Sequence, residues 1–412
     1  MKRSYFSRRV LLVVALCFFP LVSYADTSDW NNWLISQVRQ HPDIRAAQEQ
    51  LLGVNASADA LMKPIHNPEL FTGVGRSGNE KSYQVGVQQT IDIWDRRGAQ
   101  QHQAEFMQIA ATAEYERQLL NHASQAIAAL VKWAAAKRTS EVAQTQQKQL
   151  NALLELVETR QRAGDLGSID AELTFLSLSQ KLTQVAEIEA DLQKAESKVR
   201  ELLPGWSPER GQIPSDFWPV RPRLATDQVL LKHPKVATAH ARWQSLKKQA
   251  EVARRSARAE PTIGFNAGRD EGQNTMGLSL SIPLNVRNNF NAETRAANQV
   301  SLEAEAKFRA MYRRQRFEWQ SAYAAWQRFE QQYRRWQNEV QGRVESSAEL
   351  LQRQWSAGDL STTDYLMALN QRAESLVAGI ELEKQTRLTL TEVLEKSGWI
   401  MSMVMPSATL RN

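Results

Sequence analysis

An internal duplication restricts most strongly how this 412-residue chain can fold. Sequence landmarks occur twice, in the same order and 192 to 194 residues apart. His41-Pro42 returns as His233-Pro234, and Ala163-Gly164-Asp165-Leu166 returns as Ala357-Gly358-Asp359-Leu360. Because this period is too long for a solenoid repeat, it indicates two copies of one folding unit.

The first 25 residues predict a secretory signal peptide. A basic start at Lys2 and Arg3 precedes an apolar run, Val10–Phe19, and a small-x-small cleavage site ends at Ala25. The apolar run is too short to span a membrane. The single cysteine, Cys17, lies in this segment, so the mature chain can use neither disulfides nor thiolate metal ligands.

The charge balance of the chain excludes few classes of function. The chain has 51 Lys and Arg against 45 Asp and Glu, but four of the basic residues belong to the predicted signal. The mature chain is therefore close to neutral, and its composition does not indicate a nucleic-acid partner. One local excess of positive charge remains between residues 221 and 258, and we interpret it as a solvated helix face.

Period-two alternation predicts two β-hairpins, at about residues 69–91 and 261–284. Each strand has roughly 8–10 residues, the length that a tilted strand needs to cross hydrocarbon. The polar faces carry Gly, Ser, Thr, Asn and Gln, which suits a wet barrel better than the alternative, a soluble two-sided sheet. Four strands cannot close a barrel and open edges cannot face lipid, so several chains would have to build one membrane barrel.

The rest of the chain predicts long helices. No proline occurs between residues 94 and 163, a stretch that would form a helix of about 105 Å, and residues 291–357 repeat this length. Helices about half as long are predicted at residues 168–203, 226–259, 362–397 and 28–61. We therefore expect two short helices, stacked end to end, to face each long helix. Such a wall of helices would extend a β-barrel.

The predicted fold is mainly α-helical with a small β part, in which a helix, a β-hairpin and a long helical hairpin occur twice. The helical hairpins occupy about residues 94–203 and 291–397. The predicted divisions are a signal peptide (1–25), a first repeat (26–204), a linker (205–225), a second repeat (226–398) and a C-terminal tail (399–412).

No catalytic, cofactor or metal site is predicted. The sequence shows no nucleophile–base pair and no phosphate-binding loop, so we do not expect an enzyme. Six histidines are scattered along the chain: His41, His66, His102, His122, His233 and His240. His233 and His240 share a helix face, but we interpret all six as packed or solvated side chains rather than metal ligands.

The repeated plan resembles the TolC-type outer-membrane factors, the exit ducts of tripartite efflux pumps and type I secretion systems. The resemblance covers essentially the whole mature chain and is carried most strongly by residues 162–170 and 356–366. It implies a homotrimer in which each chain gives four strands to one twelve-stranded barrel in the lipid of the outer membrane. It also implies an α-barrel tunnel in the periplasm, which meets a periplasmic adaptor (the membrane fusion protein) and an inner-membrane efflux pump.

Within this family, residues 89–98 and 282–288 look most like the CzcC-like channels of the heavy-metal branch. That branch usually has Arg-Asn-x-Gly after its last strand, and Phe290 stands at the position of this glycine. The resemblance favours export of heavy-metal cations, with drug efflux and type I secretion as alternatives. An alternative of another class is a periplasmic adaptor or coiled-coil spacer without a pore, although a pure spacer would not need alternating strands.

The candidate functional residues lie in the two turns between long and return helices. In the resembled family these turns form the periplasmic tip, where the adaptor docks and the channel closes. The tip residues are Gly164, Asp165, Leu166, Gly358, Asp359 and Leu360. The glycines would permit the left-handed conformation that ends a helix, and both leucines are expected to be exposed.

Two aspartates follow these turns. In a trimer, Asp170 and Asp364 would each form a ring of three carboxylates that selects cations and gates the channel. The alternative role for each is to stabilise the first turn of its helix, and the two roles are compatible.

Overall fold

The computed structural model describes residues 27–77, 80–163, 168–209, 211–222, 224–270 and 272–404. The predicted signal peptide and the last part of the predicted C-terminal tail lie outside the described residues. The first half contains α1 (Thr27–Gln40), α2 (Pro42–Met62), β1 (Glu69–Ser77), β2 (Glu80–Thr90), α3 (Arg96–Arg162) and α4 (Ser168–Leu202). The second contains α5 (Asp227–Leu231), α6 (Pro234–Ser256), β3 (Thr262–Asp270), β4 (Gln273–Ser281), α7 (Asn291–Trp336), α8 (Gly342–Ser356), α9 (Thr362–Lys396) and α10 (Trp399–Val404). The chain is therefore mainly helical with one small antiparallel sheet, as the sequence predicted.

Two helices that the sequence predicted as continuous are each broken at a His-Pro pair. Residues 28–61 form α1 and α2, and residues 226–259 form α5 and α6. Proline lacks the N–H group of a helix interior and keeps the preceding residue extended, so it suits the first position of a new helix. His41 and His233 are indeed extended, and the Nδ1 atom of each accepts the N–H of the residue after the proline at 3.3 Å.

The first long helix, α3, runs for 67 residues without a break, which is a length of about 100 Å. The carboxylate of Asp92 accepts the N–H groups of Arg96 and Arg97 at 2.8 and 2.7 Å, and so caps the start of α3. The second long helix starts after Phe290, which adopts a left-handed conformation with φ of 53°. A glycine would take this conformation without strain, whereas Phe290 takes it at a steric cost.

The second long helix is not the single rod that the sequence predicted. A π-helical segment, Gln337–Gln341, separates α7 from α8. Immediately before it, the indole of Trp336 lies against Gly379 of α9, where a Cβ atom would come within 2.2 Å of the ring. The missing side chain lets the large ring pack directly on the α9 backbone, and the wider π turn follows at that point.

The helices form a layer in which each long helix has short neighbours stacked end to end, as predicted. Near the sheet, α2, α3, α6 and α7 lie side by side in that order. Further along, α3 packs against α4 and α9, and α9 packs against α7 and α8. Along its length, α3 therefore contacts first α2 and then α4. It likewise contacts first α6 and then α9.

The main hydrophobic core lies midway along the layer, where the short helices meet. Leu34, Trp133 and Leu203 are fully buried there, and Trp206 and Phe217 of the linker close the cluster. Each fully buried side chain of this size contributes about 1.5–3 kcal/mol. This core holds the end-to-end junctions of the short helices on the unbroken α3.

The sheet has the order β1-β2-β3-β4, with every neighbouring pair antiparallel. Each hairpin pairs within its own half, and the pairing of β2 with β3 joins the two halves. In that central pair Val87 lies opposite Phe265 and Val85 opposite Ala267.

Candidate functional site

One face of the sheet is apolar and lies open to solvent in the single chain. In the observed register, Leu70, Val87, Phe265 and Leu278 lie side by side across the four strands. Leu278 is 83% exposed and its neighbour on the same face, Met276, is 82% exposed. An apolar surface of this kind on all strands of a sheet requires a covering partner or a lipid environment.

The opposite face of the sheet is polar and small. It carries glycine, serine, threonine, asparagine and glutamine, as the alternation predicted. The exceptions are three carboxylates near strand ends, Glu69, Glu80 and Asp270, and one aromatic residue, Phe71. The ring of Phe71 lies over Gly86 of β2, where a Cβ atom would come within 2.4 Å of the ring. This face has the composition expected for the wall of an aqueous channel.

A buried ionic contact ties the base of the sheet to the helices. The Oε2 atom of Glu260, just before β3, lies 2.8 Å from Nε2 of His66 and 3.6 Å from Nη1 of Arg96. Glu260 is largely buried, and these contacts pair its Oε2 atom, whereas its Oε1 atom forms no hydrogen bond with the described residues. His66 precedes β1 and Arg96 starts α3, so the contact fixes both hairpins relative to the first long helix.

The second tip turn has the backbone geometry that the sequence predicted. Gly358 is left-handed, with φ of 82°. The N–H of Gly358 donates to Trp355 and the N–H of Asp359 donates to Gln354, at 3.1 and 2.9 Å. These two bonds make a Schellman motif, which satisfies the last carbonyl groups of α8 and turns the chain towards α9.

The predicted exposure of Leu360 is wrong. The side chain is partly buried and packs on a tip cluster that includes Leu150 of α3, Trp355 of α8 and Leu366 of α9. Trp355 and Tyr365 stack within this cluster, with ring centroids 4.8 Å apart. The tight turn folds Leu360 back onto the seam between helices, whereas Asp359 stays exposed.

Asp364 is exposed and takes part in a helix cap. Ser361 is the N-cap of α9, and its Oγ accepts the N–H of Asp364 at 3.1 Å. The same hydroxyl donates to Oδ2 of Asp364 at 2.6 Å. This arrangement is a variant of the capping box, so the carboxylate stabilises the first turn of α9.

Three residues predicted to form the first tip turn, Gly164, Asp165 and Leu166, lie outside the described residues. Asp170 lies in the first turn of α4, but its side chain is also outside the described part of the chain.

The structure brings together histidines that the sequence analysis treated as scattered. The rings of His41 and His122 lie 4.2 Å apart, and both contact carbonyl groups at the end of α4. His233 is the counterpart of His41 in the second half, and its Nε2 lies 2.9 Å from the carbonyl oxygen of Glu395. The helix-starting role of the repeated His-Pro pair was the sequence signal that could have revealed these contacts.

Burial shapes the protonation of two of these rings. It lowers the pKa of His233 from 6.5 to about 4, and it also lowers the pKa of His122. Both rings are therefore neutral at physiological pH. Among the described residues, no group of three His, Cys, Asp or Glu side chains is placed to hold a metal ion.

The basic segment is only partly the solvated face that the sequence suggested. Arg242 is exposed, but the side chains of Lys235 and Arg255 are about one-quarter exposed. Arg255 contacts Asp95 and Glu251, and Lys235 faces a groove between helices. Within the described part of the chain, no helix is both long and apolar enough to cross a membrane.

Comparison with solved structures identifies the class of fold. The outer-membrane channel OprN aligns with a TM-score of 0.72 over 92% of each chain, at 16% identity. The CmeC outer membrane channel of Campylobacter jejuni aligns with a TM-score of 0.72 over 90% of this chain and 85% of its own, at 13% identity. CusC aligns with a TM-score of 0.72 over 91% and 92%, at 14% identity. The chain therefore has the fold of solved outer-membrane channels.

The sequence comparison covers a smaller part of the chain. Residues 34–205 match the family model described as Outer membrane efflux protein. This match spans α1 to α4, including the first hairpin of strands. No curated protein matches the sequence.

Proposed function

We propose that the chain is the outer-membrane channel of a tripartite efflux pump, a passive exit duct and not an enzyme. The observation that carries this proposal is the sheet, with one exposed apolar face and one small polar face, at the end of a helical layer about 100 Å long. The apolar face would meet outer-membrane lipid, and the helices would cross the periplasm. The shared fold and the family match of residues 34–205 support this assignment.

A trimer would resolve the open edges of the sheet. Within the described chain, β1 and β4 each have one unpaired edge. Unpaired backbone groups cannot face lipid, so β4 of one copy would pair with β1 of the next, and three copies would close twelve strands. The two repeats, residues 26–204 and 226–398, would then contribute alternate hairpins to the barrel, with the linker, residues 205–225, between them.

The tip turns would meet the periplasmic adaptor. The exposed Asp359 and the left-handed Gly358 support this role for the second turn. Leu360 would stabilise the turn by packing on the tip cluster. Gly164, Asp165 and Leu166 would form the matching contact of the first repeat. Asp364, with Asp170, would supply carboxylate rings at the entrance, and capping of α9 leaves the Asp364 side chain exposed for that purpose.

The cargo is proposed from the resemblance to the heavy-metal branch. Export of heavy-metal cations rests on residues 89–98 and 282–288, and drug efflux and type I secretion are the alternatives. Deletion of the gene in its host, followed by growth on graded zinc, cobalt and cadmium and on dyes, tests this choice. Sensitivity to dyes alone would reject the metal assignment.

The pore itself is tested in planar bilayers with the full chain purified in a nonionic detergent. We expect discrete, cation-selective pores, with a lower cation preference in Asp364→Asn and no change in the matched variant Glu349→Ala, an exposed carboxylate on α8. Unchanged selectivity in Asp364→Asn would leave this residue only its capping role. A well-folded trimer that forms no pores would instead favour the adaptor or spacer alternative.

A further inference from the structure

A groove of about 700 Å³ runs along α6 between α3 and α7. Lys235, Thr238 and Arg242 line it from α6. Their spacing of three and four residues places them on one face of that helix. The groove is formed by one chain, so it does not depend on the arrangement of several copies.

Positive charge exceeds negative charge in this groove. Its cationic side chains are Arg117, Lys235, Arg242, Lys307 and Arg314, and its carboxylates are Glu114 and Glu303. Glu114 is bonded to Arg117 at 2.5 and 3.0 Å and is shared with Arg242 at 3.9 Å, while Glu303 pairs with Lys307 at 2.5 Å. The surplus therefore falls on Lys235, Arg242 and Arg314.

The surroundings of Lys235 do not fully cancel its charge. Its carboxylate neighbour, Glu395, lies 3.9 Å away and is closer to Lys396, at 3.1 Å. Burial and then the nearby Lys396 lower the pKa of Lys235, whereas the carboxylates of Glu395 and Glu318 act in the opposite direction without reversing the shift. A bound anion would relieve both effects.

A buried hydroxyl in the same groove also lacks a partner. Thr238 is 4% exposed, and its Oγ1 atom forms no hydrogen bond with the described residues. An unsatisfied buried donor is unfavourable, and a ligand oxygen would satisfy it. This hydroxyl lies one helical turn from both Lys235 and Arg242, among the surplus cations.

The remaining wall of the groove is apolar. Leu246 of α6 and Val300, Ala304 and Met311 of α7 supply it. A simple inorganic anion would leave this part of the groove unfilled. A ligand with an anionic head and a short apolar body fits both parts.

We propose that this groove binds a free amphipathic organic anion, with a carboxylate, sulfate or phosphate head. Lys235, Arg242 and Arg314 attract the head, Thr238 donates a hydrogen bond to it, and Leu246 and Met311 contact the apolar body. Lys235 lies 21 residues before the end of α6, about 32 Å from the sheet along the helix. The ligand therefore comes from water and not from lipid around the sheet. This site goes beyond the proposed duct and does not require a pore.

Photolabelling tests the proposal directly. The full chain in nonionic detergent is exposed to decanoate with a diazirine at its chain end, and labelled peptides are mapped by mass spectrometry. We expect labelling between residues 238 and 250 and between 300 and 314, with competition by unlabelled decanoate. The double variant Lys235→Gln, Arg242→Gln should bind at least tenfold more weakly, and Thr238→Val about tenfold more weakly.

Arg254→Gln is the matched control, because Arg254 is exposed on the same helix and does not line the groove. Lys235→Arg keeps the charge and should keep binding, which separates loss of the site from loss of folding. Equal labelling by the uncharged decanamide probe, or undiminished binding in the double variant, would overturn the proposal. Bilayer conductance of the same variants separates the anion site from the duct. If the chain is labelled but forms no pores, the proposed duct is rejected and the proposed anion site is retained.

Discussion

His233 should make the junction between α5 and α6 sensitive to acid. Its Nδ1 accepts the N–H of Lys235 at 3.3 Å, which leaves the Nε2–H to donate to the carbonyl of Glu395 at 2.9 Å. Only the neutral ring can make both bonds, because a protonated ring has two donors and no acceptor. The ring is 2% exposed, and burial holds its pKa at about 4.

The size and direction of the effect follow from this lowered pKa. An unfolded histidine titrates near 6.5, so between pH 6.5 and about 4 the open state binds more protons than the folded state. Stability contributed by the neutral ring is therefore complete above pH 6.5 and declines as the pH falls. The loss is about 2 kcal/mol at pH 5 and about 3 kcal/mol below pH 4.

Hydrogen exchange measures this loss locally. Peptides that cover the start of α6 and the end of α9 are followed at pH 7.5 and pH 5, with correction for the intrinsic exchange rate. We expect protection in the native chain to fall by roughly 30-fold more than in His233→Gln, which keeps a donor and an acceptor but does not titrate. The exposed His102→Gln serves as the control. An equal fall in the native chain and in His233→Gln would refute the reasoning.

The remaining predictions concern packing, the membrane face, the cap and a strained residue. Gly379→Ala should lower stability by about 1–3 kcal/mol in thermal unfolding, because its Cβ would strike Trp336, whereas Gly342→Ala, with open space around it, should not. Leu278→Arg should block insertion into lipid vesicles at a cost of about 2–4 kcal/mol, and Ser279→Arg, on the polar face, should insert. Ser361→Ala should cost about 1 kcal/mol in denaturant unfolding by removing the cap of α9. Phe290→Gly should raise the unfolding midpoint by relieving about 1 kcal/mol of left-handed strain, and an unchanged midpoint would contradict this.

The sequence was most informative where one local pattern determines the structure. Strand alternation predicted both hairpins and both sheet faces, since side chains of a strand must point alternately to opposite faces. The absence of proline predicted the unbroken α3, and the glycine of the repeated turn predicted the left-handed Gly358. Each of these features depends on residues close together in the chain.

The features that it missed depend on contacts between distant residues. The π-helical segment follows Trp336, whose ring packs on Gly379 some forty residues away. Leu360 is covered by the neighbouring α3, which no local pattern near the turn reveals. The break between α5 and α6 could have been predicted from the proline after His233. The contact of His233 with the carbonyl of Glu395 could not, because Glu395 lies at the end of α9, far away in the sequence.

The cationic groove and the proposed acidic tip can act independently in the proposed duct. Arg314 lies 42 residues before the end of α8, which is about 63 Å along the helix. The Debye length is about 8 Å at physiological ionic strength, so neither set of charges controls the potential at the other. The reversal potential of the pore should therefore respond to Asp364 and photolabelling to Lys235 and Arg242.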